Sequence, residues 1–234
     1  MEQSLNIIEN ARLGGMDVTA CVYPYDSWAT YLDSARFDEG WQKRFRITYG
    51  DLQLGGSGER LNEASFRKYR DQGKLAGAYA IPESDVIAAL KRPWVMIASD
   101  GILEDGYNNH PRASGTFART IGRYSREKKV LTLMEALSKM TIQPARRLEK
   151  AASAMKRKGR LSAGNDADIT VFDYAKIRDA ATVEHPEYAS EGIVYVIVGG
   201  EIVKGPDGLM KKKHPGKPVK SGFGKRTPLT KIRN

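Results

Sequence analysis

The chain has 234 residues, 41% of them apolar, and a formal net charge of +10. That length allows one large domain or two small ones with a real core. No apolar run approaches the roughly 18 residues that a membrane-spanning helix needs. The single cysteine, Cys21, excludes an internal disulfide and a cysteine-rich zinc site, and fits a reducing compartment. Met1 is followed by Glu2 and a polar helical pattern, not by a basic segment and an apolar core, so a cytoplasmic location is the default expectation. Nine Lys and Arg and no acidic residue lie in Lys211–Asn234, which leaves the rest of the chain nearly balanced. That surplus sits in a Pro/Gly/Lys segment and reads as a solvated tail. A nucleic-acid surface would want charge on a folded face with aromatic platforms.

Taken in order, Ser4–Leu13 places Leu5, Ile8 and Ala11 at helical spacing and ends at Gly14-Gly15. Asp17–Tyr23 is β-branched and mostly apolar, a strand closed by Pro24. A helix ahead of the first strand lacks the opening half of its βαβ unit, so the domain is expected to begin upstream of residue 1. Tyr23-Pro24-Tyr25-Asp26-Ser27-Trp28 follows at the strand's C-terminal lip, where aromatics and one carboxylate either line a substrate pocket or cap a barrel end. Trp41–Tyr49 reads as a further strand or edge piece. Gly50–Arg60 reads as a loop too irregular for phosphate binding. A helix is predicted over Asn62–Gln72 with Asn62 as N-cap, then a strand over Leu75–Ile81. Pro82 opens a helix through Leu90, with acids near its start.

Val95-Met96-Ile97-Ala98 is a short apolar run stopped by Ser99-Asp100-Gly101, the pattern of a strand buried on both faces. Alternation of buried strands and helices predicts a parallel α/β layer. Asp100 then stands at a C-terminal strand lip, where parallel barrels keep their chemistry; the alternative is ordinary Ser-Asp-Gly turn chemistry. A loop over Gly101–Asn109 leads to His110-Pro111-Arg112, and a helix runs from Ser114 or Thr116 through Glu127. A second helix, Thr132–Met140, carries a Thr132/Glu135 capping box, and a third begins at Thr141. Ala151–Lys158 reads as an exposed linker. Beyond it the composition turns β-rich: Gly159–Asp173 is a turn and a strand, and Gly192–Val203 a hairpin turning at Gly199-Gly200. Three strands are too few for an independent sheet, so further strands are expected from elsewhere.

Ser99-Asp100-Gly101, His110-Pro111-Arg112 with Gly115-Thr116-Phe117, Gly122-Arg123-Tyr124, Met140-Thr141 with Pro144-Ala145, and Gly159-Arg160-Leu161 to Ala167-Asp168-Ile169 together resemble the amidohydrolase superfamily. The likeness is greatest to its N-acyl-D-amino-acid deacylase (D-aminoacylase) branch, and Val18-Thr19 to Tyr23-Pro24-Tyr25 also resembles that branch. It spans about residues 5 to 205. The resemblance implies an α/β fold: the C-terminal part of a (β/α)8 TIM-like metal-dependent hydrolase barrel (residues 1–150), part of a small composite β-sandwich domain (151–205) and a basic tail (206–234).

The same resemblance implies hydrolysis of the amide bond of a small N-acyl amino acid, using one or two zinc ions in the complete enzyme. Asp100 matches the residue that relays the water's proton to the leaving amine and touches metal. Arg112 matches the Arg that holds the substrate carboxylate. His110, Tyr25, Ser114 and Gly115 are placed around the substrate, with His110 read as a loop-orienting residue and not as a ligand. The family's His-x-His pair has no counterpart here, where the three histidines are His110, His185 and His214. Zinc needs three or four protein ligands, of which the sequence offers Asp100; Cys21 lies mid-strand and reads as core. The expectation is an enzyme half that needs an N-terminal partner. The alternatives are a non-catalytic relic that self-associates over its open edge, or a nucleic-acid or anionic-surface binder acting through its Lys211–Arg233 tail.

Overall fold

The computed structural model describes residues 1–102 and 110–221. Residues 103–109 of the expected Gly101–Asn109 loop, and 222–234 of the basic tail, lie outside the described residues. Two compact units emerge. One comprises Met1–Ala136 with Asp173–Gly192, and the other Leu137–Phe172 with the chain from Ile193 onward.

The first unit opens with helix α1 (Glu2–Leu13), whose buried Leu5 packs with Ala89, Trp94 and Val95. Strand β1 (Ala20–Val22) follows, within the predicted segment. Next come β2 (Trp28–Tyr31), helix α2 (Trp41–Phe45), β3 (Leu52–Leu54), helix α3 (Glu63–Asp71) and β4 (Leu75–Ala78). Trp41–Tyr49 is therefore not a strand. The helix is short, ending at Phe45 with Arg46 in a left-handed conformation, and Trp41 stacks on Phe66 with ring centroids 5.4 Å apart. The expected Gly50–Arg60 loop contains β3, whose Gln53 bridges Arg60. Asn62 caps α3 as predicted: its side chain accepts the Ser65 N–H at 2.9 Å, and Ser65 Oγ accepts the Asn62 N–H in return.

The parallel layer predicted for these strands is not what forms. Strands β2, β4 and β3 make an antiparallel sheet in that order. All four residues of β4 are buried. Ala76 and Ala78 pack into a cluster with Trp41, Phe37, Phe66 and Leu52, while a Cβ on Gly77 would meet the Val183 side chain. A strand covered on both faces reads as a continuous apolar run whichever way its neighbours point.

Among the described residues, parallel pairing is confined to β1 with β5 (Val95–Ile97), in register Ala20 to Val95 and Val22 to Ile97. Between β4 and β5 lies helix α4 (Glu83–Lys91). Helix α5 (Arg112–Arg119) then runs directly into a π-helical stretch, Thr120–Glu127. Glu83 ties α4 to that stretch by accepting from Arg123 at 2.7 Å, Lys128 at 2.8 Å and Tyr124 at 3.3 Å. The hydrogen bonds from Lys128 and Arg123 hold its carboxyl down at about 2.

Helix α6 (Leu133–Met140) carries the predicted capping box, with Thr132 N–H and Oγ1 both donating to Glu135 at 2.8 Å. In the second unit, α7 (Ile142–Leu148) precedes a 3-10 turn at Ser153–Arg157. Ala152 is buried, so the expected exposed linker is partly packed. Strands β6 (Ile169–Phe172), β7 (Ile193–Val198), β8 (Glu201–Gly205) and β9 (Gly208–Leu209) form an antiparallel sheet in sequence order, with Gly199-Gly200 turning β7 into β8. Lys158 pairs with Asp166 and Asp168, and Arg160 with Glu149. Residues 211–221 are exposed apart from half-buried Pro215.

Candidate functional site

Strand β5 is buried along its length and delivers the chain to Asp100, which takes a left-handed backbone with φ of +46°. Its side chain is 69% exposed. Helix α5 starts close beside this turn: a Cβ on Gly101 would stand 3.0 Å from the Ala113 Cα. That proximity lets Arg112, the first residue of α5, reach back so that its Nη2 donates to Asp100 Oδ2 at 3.0 Å.

Arg112 is 3% exposed. Its guanidinium lies 4.7 Å from the centre of the Tyr23 ring, a cation–π contact. Burial pushes the Tyr23 hydroxyl up, opposed by the neighbouring Arg112 charge. Among the described residues, the buried Arg112 Nε has no hydrogen-bond partner. An orphaned buried donor on a cation costs free energy unless an acceptor meets it.

His110 is 3% exposed and Ser27 2%. His110 Nδ1 accepts the Arg112 backbone N–H at 3.1 Å, and Nε2 lies 2.9 Å from Ser27 Oγ. Because Nδ1 accepts, the neutral ring carries its proton on Nε2 and donates it to Ser27. Burial, reinforced by Arg112 and Arg119, lowers the His110 pKa to about 3.

Tyr25 stands edge-on to His110 with centroids 5.5 Å apart. Its hydroxyl donates to Pro111 O and Asp179 Oδ2, both at 3.3 Å. Asp179 pairs with Arg119 at 2.9 Å, and Arg119 Nε donates to Pro24 O at 2.7 Å. Burial, then the Asp179 charge, pushes the Tyr25 hydroxyl pKa up. Gly115 makes this packing possible, since a Cβ there would lie 2.3 Å from Tyr25 Oη. Ser114 Oγ donates to Pro186 O at 3.1 Å, and Ser114 O accepts from Ser190 at 2.8 Å.

The expected site residues thus converge on the start of α5, in two groups. Asp100 and Arg112 form an ion pair open to solvent on the Asp100 side. Tyr25, Ser114 and Gly115 pack the other side, engaged with the Asp179–Ser190 segment. Tyr23, an aromatic of the segment expected to line a pocket or cap a barrel end, belongs to the constellation, as do Ser27, Asp179 and Arg119, which the sequence does not single out. The carboxylate beside Tyr25 is Asp179, not the neighbouring Asp26, which is exposed along a cleft of about 560 Å³ with Arg46 and Tyr79. Ser27 and Tyr23 flank Tyr25 in a segment already suspect for its aromatics; no local pattern points to Asp179.

A zinc ion does not fit the donors on view. Among the described residues, no group of three or more His, Cys, Asp and Glu side chains stands together to hold a metal. Both nitrogens of His110 are engaged. His185 stacks on Tyr188, and Cys21, expected in the core, is exposed.

Residues 60–204 match the model of the amidohydrolase family. The chain belongs to that family. It is 36% identical to N-acyl-D-glutamate deacylase of Alcaligenes xylosoxydans xylosoxydans over 201 residues, 82% of this chain and 40% of the relative. The crystal structure of D-aminoacylase superposes with a TM-score of 0.77 at 30% identity, over 94% of this chain and 46% of that one. N-acyl-D-glutamate deacylase from Bordetella bronchiseptica, solved with zinc and a phosphonate mimic of the tetrahedral intermediate, gives 0.72 at 31% identity, over 86% and 43%. This amidohydrolase chain therefore spans about two fifths of the length of the curated relative, and its α/β fold is that of the D-aminoacylase structures.

Proposed function

We propose that this amidohydrolase chain contributes the proton-transfer carboxylate and the substrate-carboxylate clamp of an N-acyl-D-amino-acid deacylase. The observation that carries the reading is the buried Arg112, tied to Asp100 through Nη2 while its Nε awaits an acceptor. A planar guanidinium suits bidentate capture of a substrate α-carboxylate. Asp100, exposed at the strand lip, would take a proton from the attacking water and return it to the departing amine nitrogen as the C–N bond breaks. The relatives named for N-acyl-D-glutamate deacylation and D-aminoacylation supply the substrate class.

On this reading β1 and β5 are part of a (β/α)8 barrel, and the β6–β9 sheet is part of a composite β-domain. A parallel pair of three-residue strands is marginal alone and ordinarily belongs to a larger covered sheet. Any zinc, one ion or two, would draw its further ligands from outside the described residues, which hold no ligand cluster.

The test is zinc content and N-acetyl-D-amino-acid hydrolysis of the purified chain, with and without Asp100→Asn. Little tightly held zinc and no turnover are expected from the chain alone. Asp100-dependent turnover is expected once a relative's His-x-His-bearing portion is supplied in trans. One tightly held zinc per chain would overturn the shared metal site, and turnover that survives Asp100→Asn would overturn the role of Asp100.

A further inference from the structure

We infer that Ser27 and His110 are positioning residues for Arg112: the imidazole, oriented by Ser27, accepts the first backbone N–H of α5 and thereby fixes where the guanidinium points. The inference rests on the proposed reading only for what Arg112 binds; the positioning itself is a property of this chain.

The start of α5 shows why a side chain is needed. A helix leaves its first N–H groups without intrahelical acceptors. Here Ala113 N–H donates to His110 O at 3.0 Å, and Ser114 and Gly115 N–H donate to Pro111 O at 3.2 and 2.9 Å. Pro111 has no N–H to satisfy. The remaining donor is Arg112 N–H, and His110 Nδ1 takes it at 3.1 Å. The helix entrance is then closed to ligands, so the anion-seeking group at this end is the Arg112 side chain.

The tautomer follows from the partners. With Nδ1 accepting, Nε2–H must donate, and Ser27 Oγ at 2.9 Å receives it. The opposite tautomer would set Nδ1–H against the Arg112 N–H, and turning the ring over would leave only a carbon there. A protonated ring would place a second N–H against that donor and a cation beside Arg112. The Arg112 N–H therefore selects the ring state, and Ser27, whose hydroxyl can accept from Nε2–H, holds the ring in the orientation that meets the helix start. Three buried polar residues, contributed by positions 27, 110 and 112, lock one backbone atom of the residue whose side chain meets Asp100. An error in that backbone would swing a long side chain away from both Asp100 and its open Nε direction.

The test uses the full-length chain and 15N NMR of the arginine Nε–H groups, with Arg112 assigned by its loss in Arg112→Lys. Asparagine at 110 supplies Oδ1 where Nδ1 was, whereas glutamine supplies an amide near Nε2. His110→Asn is expected to keep the Arg112 Nε–H resonance near its wild-type position. His110→Gln and His110→Ala are expected to raise its solvent-exchange rate about tenfold, the loss of one buried hydrogen bond. Ser27→Ala, which keeps the backbone and Cβ, is expected to give a smaller change of the same sign and guards against variants that do not fold. The ring-nitrogen shifts of wild-type His110 should be those of the neutral Nε2–H tautomer.

Folded variants that all leave the Arg112 signal unmoved would overturn the inference, as would the opposite tautomer. Equal loss in His110→Asn and His110→Ala would also overturn it, because a merely space-filling role makes no distinction by acceptor. Titration with N-acetyl-D-glutamate separates the two ideas. If the ligand never binds, the deacylase reading fails while the ligand-free exchange rates still decide the positioning.

Discussion

Two regions of the first unit are held by opposite means. Residues 28–80 fold around aromatic rings: Trp41, Phe37, Phe66 and Tyr49 meet pairwise at 5.2 to 5.8 Å beside the β2–β4–β3 sheet. The start of α5 buries polar groups instead, with Ser27, His110, Arg112 and Thr116 each matched to a partner except at Arg112 Nε. The aromatic region tolerates approximate fit, because apolar contact is non-directional. The polar region depends on direction, and every lost partner leaves a desolvated group behind. That contrast explains why the unsatisfied Arg112 Nε stands out among the described residues.

The contrast breaks most visibly at Trp41. Trp41→Ala is expected to destabilise the chain by about 3–5 kcal/mol, read from urea unfolding; a change below about 1 kcal/mol would mean the rings do not hold that region. At the polar end, Gly115→Ala forces a methyl against Tyr25 Oη and Asp179, and should cost about 1–3 kcal/mol in the same measurement.

Acid should act selectively on the polar region. The folded His110 pKa of about 3 lies below its ordinary value of 6.5. Between those values the unfolded chain binds a proton that the native chain excludes. Stability is therefore full above about pH 6.5 and falls as pH drops toward 3. From pH 6.5 to pH 5 the loss from this group is at most about 2 kcal/mol. His110→Asn should flatten that part of the pH–stability curve; an unchanged slope would show that another group carries it. The smallest effect is local: Asn62→Ala removes the α3 cap for about 1 kcal/mol, and should leave the exchange of Arg112 Nε–H untouched.

What could be read in advance follows the same division. Capping at Asn62 and at Thr132 with Glu135, the buried β5 run ending at Asp100, and the Gly199-Gly200 hairpin are local patterns, and each formed where its residues placed it. Arg112 was found through family likeness. The five-residue helix α2 is too short to show a period, and its aromatics also favour strands, so Trp41–Tyr49 reads as a strand. The direction of β4 was missed because burial on both faces erases the alternation that marks antiparallel strands. The links from Ser27 to His110 and from Tyr25 to Asp179 join residues 83 and 154 positions apart, and no window along the chain contains both ends.

The most direct test of the central claim is calorimetric titration of N-acetyl-D-glutamate into the purified chain and into its Arg112→Ala variant. Binding to the wild type that disappears in the folded variant is expected if Arg112 is the carboxylate clamp. No binding to the wild type, or equal affinity in the variant, would contradict it.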